Sequence, residues 1–167
     1  MARDVVQEFN WPADPGRVHN IFTSEQFQRR LAESTGSLDV HCEVDRAVDG
    51  CTVRTSRVLP AQVPSFARPL VGETVRVDEE QRWQAPQGGS SSAELHITFS
   101  GPLVGRGSIE LRPGPQHGTT TGRFALNFKA NVPLVGGKVE ALIAEQIEQY
   151  LKVQAALVAE ELDLTQS

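Results

Sequence analysis

The sequence predicts an α+β fold: a curved antiparallel sheet of about seven strands wrapped around one long C-terminal helix, with two short helices after the first strand. Three observations carry that expectation. From Pro133 to Leu162 apolar residues recur at helical spacing without a break. The roughly ninety residues before that stretch alternate with period two and are punctuated by turn chemistry. The two parts also need each other, because a helix with one apolar side must bury it, and the face of a sheet is the only large surface the preceding chain offers. A sheet closed on a single helix leaves room for an internal cavity.

The chain opens with a short strand, Asp4 to Phe9, which the prolines of Trp11-Pro12-Ala13-Asp14-Pro15 stop. Asp14 is placed to cap a helix with Pro15 at its first position, and Val18, Ile21 and Phe22 follow at helical spacing. A second helix starts at Thr23-Ser24-Glu25, carries Phe27 and Leu31 inward and ends near Gly36. Leu38, Val40, Cys42 and Val44 then alternate against Asp39, His41, Glu43 and Asp45, the pattern of a half-buried strand. If Asp49-Gly50 is a two-residue turn, Val48 faces Cys51 and Cys42 faces Arg57. That register puts Val53, Thr55, Arg57 and Leu59 on the face of Leu38 to Val44. It also keeps the two cysteines apart and reduced, Cys42 as a small core residue and Cys51 as a strand end.

Pro60, Pro64 and Pro69 make residues 60–72 an irregular crossing. Four strands follow, Glu73 to Gln84, Ala93 to Ser100, Arg106 to Arg112 and Thr119 to Ala130, joined by Pro86-Gln87-Gly88-Gly89, Gly101-Pro102 and Pro113-Gly114-Pro115. Links this short make antiparallel neighbours. The inward set is Val75 and Val77; Leu95, Ile97 and Phe99; Ile109 and Leu111; and Phe124, Leu126 and Phe128. The same period brings Glu79, Gln81 and Trp83 to the core side. The last helix presents Val139, Leu142, Ile143, Ile147, Tyr150, Leu151, Leu157 and Val158 on one side, interrupted by Gln146 and Gln154, with Lys138, Glu145, Glu148 and Lys152 on the other. From Lys138 to Leu162 it is roughly 37 Å long, enough to cross a sheet. Its glutamates exclude a membrane span.

With 39% hydrophobic and 22% charged residues, the 167-residue chain has the balance of one globular domain spanning 1–167. A net charge of -5, from 16 Lys and Arg against 21 Asp and Glu, argues against a nucleic-acid partner and an anionic lipid surface. The start, MARDVVQEFNW, has no apolar core of signal-peptide length, and the expected location is the cytoplasm.

Several motif-like signals fail. Pro-Leu-Val-Gly at 69, 102 and 133 is followed by dissimilar segments, two strands and a helix, and marks chain reversals rather than a repeat. Gly136-Gly137-Lys138 lacks both the earlier glycine and the following Ser or Thr of a phosphate loop, having Val132 and Val139 there. Gly105-Arg106-Gly107 has Glu110 where a dinucleotide fingerprint needs its third glycine. His19, His41, His96 and His117 do not converge and read as solvated surface residues. Gly88-Gly89-Ser90-Ser91-Ser92 lacks the closing glycine of a nucleophile elbow. Of Asp78, Glu79 and Glu80, the outer two point away from the middle one and cannot share a cation with it. No metal, cofactor or catalytic residue is expected on these grounds.

What remains is a set of polar residues on otherwise apolar faces: Arg57, Glu79 and Gln81 from the sheet, with Gln146, Tyr150 and Gln154 from the helix. A buried Arg57 needs a carboxylate, and Glu79 is the available one. With the aromatic wall, the expected ligand-binding set is Arg57, Glu79, Gln81, Trp83, Phe99, Phe124, Phe128, Gln146 and Tyr150. A bulge in the Glu73 strand would instead turn Glu79 and Gln81 to solvent and let Arg57 snorkel out.

The element order resembles the START-like superfamily, also called SRPBCC, with its helix-grip fold. Within it, Arg54-Thr55-Ser56-Arg57-Val58-Leu59-Pro60, Trp83 and Val132-Pro133-Leu134-Val135-Gly136-Gly137-Lys138-Val139-Glu140 resemble a bacterial family without an assigned reaction. The resemblance implies a cavity between the sheet and the last helix, lined with apolar residues and open to hydrophobic ligands, and it carries over no catalytic residue. The expected function is a binding or carrier protein for a lipid, fatty acid or polyketide-like molecule, as a monomer or homodimer with no integral membrane association. One alternative is an enzyme of the cyclase, dehydratase or hydrolase kind, with Arg57 polarising a carbonyl and Glu79 as general acid or base. The other is a homodimeric interaction module formed through a sheet edge or the Pro60 to Gly72 segment.

Overall fold

The alternation of period two resolves into seven strands and the three helical stretches into helices, and a fourth, four-residue helix lies in the 60–72 stretch expected to be irregular, in a computed structural model that describes residues 2–61 and 63–165. In chain order these are β1 (Ala2–Trp11), α1 (Pro15–Phe22), α2 (Glu25–Ser34), β2 (Leu38–Ala47), β3 (Gly50–Pro60), α3 (Arg68–Val71), β4 (Thr74–Gln84), β5 (Ser91–Phe99), β6 (Leu103–Pro113), β7 (Thr120–Ala130) and α4 (Gly136–Leu164). Gln62, within the stretch expected to be irregular, lies outside the described residues, as do Met1, Gln166 and Ser167 of the expected 1–167 domain. The strands form one antiparallel sheet in the order β1-β7-β6-β5-β4-β3-β2. The chain meanders from β2 to β7, and β1 returns the far edge by pairing with β7, so α1 and α2 must carry the chain from one edge of the sheet to the other. This is the helix-grip arrangement, with α4 held in the curl of the sheet.

Local chemistry explains most element ends. Asp14 has the extended backbone of an N-cap, its carbonyl accepts the Arg17 and Val18 N–H groups, and Pro15 follows at the first helical position. Ser24 caps α2 by accepting the Phe27 N–H at 3.3 Å. Between β4 and β5 the tip is Gly88-Gly89, both in the left-handed region, as a tight hairpin turn requires.

The β2–β3 hairpin departs from the expected register by two residues. Ala47 faces Gly50 and Cys42 faces Thr55, so the turn is Val48-Asp49. Gly50 is not used for the turn: a Cβ on it would lie 2.1 Å from the Trp83 carbonyl oxygen, so its bare backbone serves the close approach of β3 to β4. Because the side-chain period is two, a slip of two residues keeps every face, and Val53, Thr55 and Arg57 are still inside. Leu38 is a correction. It was expected inward, but Asp39 sits at φ 51 and the ladder bulges between Leu38 and His41, turning Leu38 out to 62% exposure. Cys51 is buried, Cys42 is half-buried, and both are free thiols. Burial, with a contribution from Glu25, pushes the Cys42 thiol up to about 11, which leaves it unreactive near neutral pH.

His19 is a second correction. It is 8% exposed rather than solvated, because the buried stripe of α1 is Pro15, Val18, His19 and Phe22, with Ile21 at its half-buried margin. Its Nδ1 lies 2.5 Å from Ser91 Oγ on β5, and its ring meets Trp83 edge-on at 5.1 Å. Trp83 continues into a cluster with Phe22, and Phe22 with Trp11, Phe27 and Phe124.

Helix α4 starts at Gly136, three residues after the expected Pro133, because Leu134 adopts φ 71 and breaks the path. The buried Glu140, a position the sequence pattern did not mark, accepts the Ala130 N–H at 2.9 Å and ties the start of the helix to the end of β7. At the other end Trp11 Nε1 donates to the Ala155 carbonyl at 3.0 Å, and Arg30 of α2 pairs with Glu160 and Glu161. Among the described residues no helix is long and apolar enough to cross a membrane.

Two outcomes are expected from these contacts. Removing the carboxylate with Glu140→Ala leaves the buried Ala130 N–H unpaired and lowers the unfolding free energy by about 1.5–3 kcal/mol in urea denaturation, with Glu140→Gln in between. Burial, then the Arg46 cation, hold the His19 pKa below its ordinary 6.5. The unfolded chain therefore takes up the proton first, so the stability due to neutral His19 is complete above 6.5 and is lost as the pH falls through the lowered value. The urea midpoint should drop between about pH 7.5 and pH 5.5, and His19→Gln should flatten that slope. An unchanged slope in the variant would remove His19 as its source.

Candidate ligand cavity

The curl of the sheet leaves a cavity of about 430 Å³ between its inner face and the middle of α4. Its two walls differ in kind. Strands β5, β6 and β7 contribute Leu95, Ile97, Phe99, Ile109, Phe124, Leu126 and Phe128, all apolar. Strands β3 and β4 contribute Arg57, Glu79 and Gln81 beside Leu59 and Val77. Helix α4 closes the space with Ile143, Gln146, Ile147, Tyr150, Leu151 and Gln154, and Ser34 and Thr35 at the end of α2 stand with Gln149 and Val153 of α4 at the margin. A smaller space of about 90 Å³ adjoins it, sharing Leu59, Val77, Phe99, Ile143 and Gln146 and running on to Val132 and Val139.

The ladder explains why the polar groups meet. Thr55 faces Glu79 and Arg57 faces Val77 across β3 and β4, so Arg57 and Glu79 are diagonal neighbours on one face, within reach of a long side chain. No bulge intervenes in β4, and Glu79 and Gln81 stay inside. Arg57 Nη1 lies 3.7 Å from Glu79 Oε2 and donates to Thr55 Oγ1 at 3.2 Å. Both charged side chains are 9% exposed. The guanidinium lies under the Tyr150 ring, 5.3 Å from its centroid. Arg57 Nε is buried and has no acceptor among the described residues.

These neighbours set the protonation states. Burial by itself works against the Arg57 charge, but Tyr150 and Glu79 together outweigh it, and the guanidinium is harder to deprotonate than usual. Burial pushes the Tyr150 hydroxyl up to about 12, with Arg57 opposing the shift and Glu79 adding to it. Tyr150 therefore keeps its proton at neutral pH. Gln81 is 2% exposed, and its Oε1 accepts the Trp83 indole N–H at 2.9 Å. Since an indole nitrogen only donates, this bond fixes the orientation of the Gln81 amide and leaves its NH₂ group as a donor.

Of the nine residues expected from the sequence, Arg57, Glu79, Gln81, Phe99, Phe124, Phe128, Gln146 and Tyr150 line the cavity. Trp83 does not. It is packed behind Gln81 in the aromatic cluster with His19 and Phe22, because its position near the end of β4 faces the underside of α1. Sequence reasoning missed Ser34 and Thr35, which a helix pattern marks only as the end of α2, and gave Thr55 no role although its register already put it beside Arg57. Chemically, the cavity offers donors from Arg57 and Tyr150, an acceptor from Glu79, and a large apolar wall opposite. Among the described residues no group of three His, Cys, Asp or Glu side chains is placed to hold a metal ion.

Known proteins share this fold at low sequence identity. The protein TTHA0849 from Thermus thermophilus superposes with a TM-score of 0.68 at 17% identity, covering 99% of this chain and 100% of that one. The Zhui aromatase/cyclase from Streptomyces sp. R1128 gives 0.63 at 14% identity, covering 98% and 94%. A truncated norcoclaurine synthase from Thalictrum flavum gives 0.60 at 11% identity, covering 97% and 94%. In sequence the chain is similar to an uncharacterised protein of Mycobacterium tuberculosis strain H37Rv, Rv0481c, at 22% identity over 162 residues, covering 92% of this chain and 93% of that one. The match that reaches from residue 4 to residue 162 is to a family profile, and by it the chain belongs to the family described as Protein of unknown function (DUF2505).

Proposed function

We propose that this protein is a START-like binding or carrier protein of the bacterial cytoplasm that holds one small hydrophobic molecule, a lipid, fatty acid or polyketide-like compound, between the sheet and α4. The observation that carries this reading is the division of the cavity, with an apolar wall from β5 to β7 facing a short polar wall from β3 and β4. Small-molecule sites commonly combine a mostly apolar surface with a few polar groups that orient the ligand. The volume of about 430 Å³ also falls in the range of such sites. The proposed ligand-binding residues are Arg57, Glu79, Gln81, Phe99, Phe124, Phe128, Gln146 and Tyr150.

A second reading, catalysis, is favoured by the meeting of Arg57, Glu79 and Tyr150 inside the cavity. There Arg57 polarises a carbonyl oxygen and Glu79 moves a proton on the adjacent carbon, as in a cyclase or dehydratase. Two fold neighbours are an aromatase/cyclase and a norcoclaurine synthase, which supports the fold's capacity for such chemistry and assigns no reaction to this chain.

The carrier reading predicts that the neutral fluorophore N-phenylnaphthylamine binds with one-to-one stoichiometry, and that Ile147→Trp, which fills the cavity from α4, abolishes binding while the far-ultraviolet circular dichroism is kept. Unchanged binding in that variant would place the fluorophore elsewhere. For the catalytic reading, turnover of an enolisable aromatic ketone, followed by solvent deuterium uptake, should fall by roughly 10²–10⁴-fold in Glu79→Gln with the fluorophore still bound. Exchange that is equal in both proteins dismisses Glu79 as the base.

A further inference from the structure

We propose that the ligand carries an uncharged, oxygen-bearing head, a carbonyl oxygen beside a hydroxyl group, in preference to a carboxylate. The proposal rests on the reading of the cavity as a ligand site and narrows it. A guanidinium has five N–H donors. Here Thr55 Oγ1 takes one at 3.2 Å, Glu79 stands off at 3.7 Å, and Nε has no acceptor among the described residues. Arg57 is 7% exposed, so bulk water is not at hand to complete it. A buried donor group with too few acceptors is costly, and an acceptor oxygen brought by a ligand relieves the deficit with a small movement of the guanidinium.

The charge of that oxygen is set by Glu79. Among the residues that line the cavity, Arg57 and Glu79 are the charged ones, and their charges cancel. A ligand carboxylate reaching Arg57 would put a second negative charge near Glu79 in poorly solvated surroundings, where like charges repel most strongly. It would also give up its own hydration for a site with no net positive charge. A carbonyl oxygen accepts the same N–H without either cost. A carboxylate can accept several hydrogen bonds and Glu79 lines the cavity beside Arg57, so a hydroxyl next to the carbonyl finds a partner as well. The rest of the ligand is an apolar body that meets the β5 to β7 wall.

The test is displacement of N-phenylnaphthylamine from the full-length protein at about pH 8 by two ligands of matched carbon count, hydroxymethyl octyl ketone and decanoate, the acid being ionised there. The ketone should displace the fluorophore at a concentration roughly tenfold or more below that of decanoate. Glu79→Gln makes the cavity net positive and should tighten decanoate by a similar factor without tightening the ketone. The double variant Arg57→Met/Glu79→Gln leaves no lone buried charge that would threaten folding, and in it the ketone should weaken roughly tenfold. Decanoate binding as tightly as the ketone in the unaltered protein, or a ketone indifferent to the double substitution, overturns the assignment of the head while leaving the carrier reading in place. If neither ligand nor the fluorophore binds, the carrier reading fails and the head assignment falls with it.

Discussion

Much in this structure depends on how α4 is held, since it runs along the inside of the curled sheet and forms the far wall of the cavity. Polar contacts tie it near both ends, and in its middle the Tyr150 ring covers Arg57. At the start, Glu140 takes the Ala130 N–H at the end of β7. Further along, Trp11 bonds the Ala155 carbonyl and Arg30 meets Glu160 and Glu161. Between these points lie Ile143, Gln146, Ile147, Tyr150 and Leu151, and these line the cavity. Leu151 is buried and the others are only partly covered, whereas Leu157, Val158 and Leu162 near the second anchor are buried in the core. A helix seated fully on the sheet would have filled the space that the anchored ends leave between them.

The Arg57–Glu79 pair is the main cost of building that space. Removing two charges from water is expensive, and a separation of 3.7 Å returns less than a bidentate contact would. Thr55 and the face of Tyr150 offset part of the penalty. Apolar side chains of similar volume at the two positions would leave the fold about as stable. Stability alone therefore gives no account of the pair, and its position on the cavity wall does.

Much of this was legible in the sequence because the strand period is insensitive to the commonest mistake about a hairpin. Placing the β2–β3 turn one residue late slipped the register by two and misassigned every cross-strand partner, yet still put Val53, Thr55, Arg57 and Leu59 on the correct face, because two is the period itself. The same logic brought Glu79 and Gln81 inside. It failed at Leu38, where a bulge changes the count by one and nothing in the local sequence announces it. It failed differently at His19, because a polar residue on a helix reads as solvent-facing until its partner is known, and that partner, Ser91, lies on a strand 72 residues away. Trp83 faces inward as its period requires, yet the sheet's inner face is longer than the cavity. Which inward residues touch open space and which touch α1 is decided by the docking of the helices, and alternation along a strand carries no information about that.

The division of labour between the two walls follows from the elements that carry them. Arg57 and Glu79 lie on interior strands, with ladder bonds on both sides and a register that allows little drift. Gln81 is steadied from behind by the Trp83 indole, which in turn rests against the His19 ring. Groups mounted on paired strands hold their positions more closely than groups on loops. On the proposed reading, the head of a ligand meets this strand-borne constellation, while its body meets Ile143, Ile147 and Leu151 of α4. On the proposed carrier reading, this arrangement suits a cargo that varies in its hydrocarbon part more than in its oxygen functions.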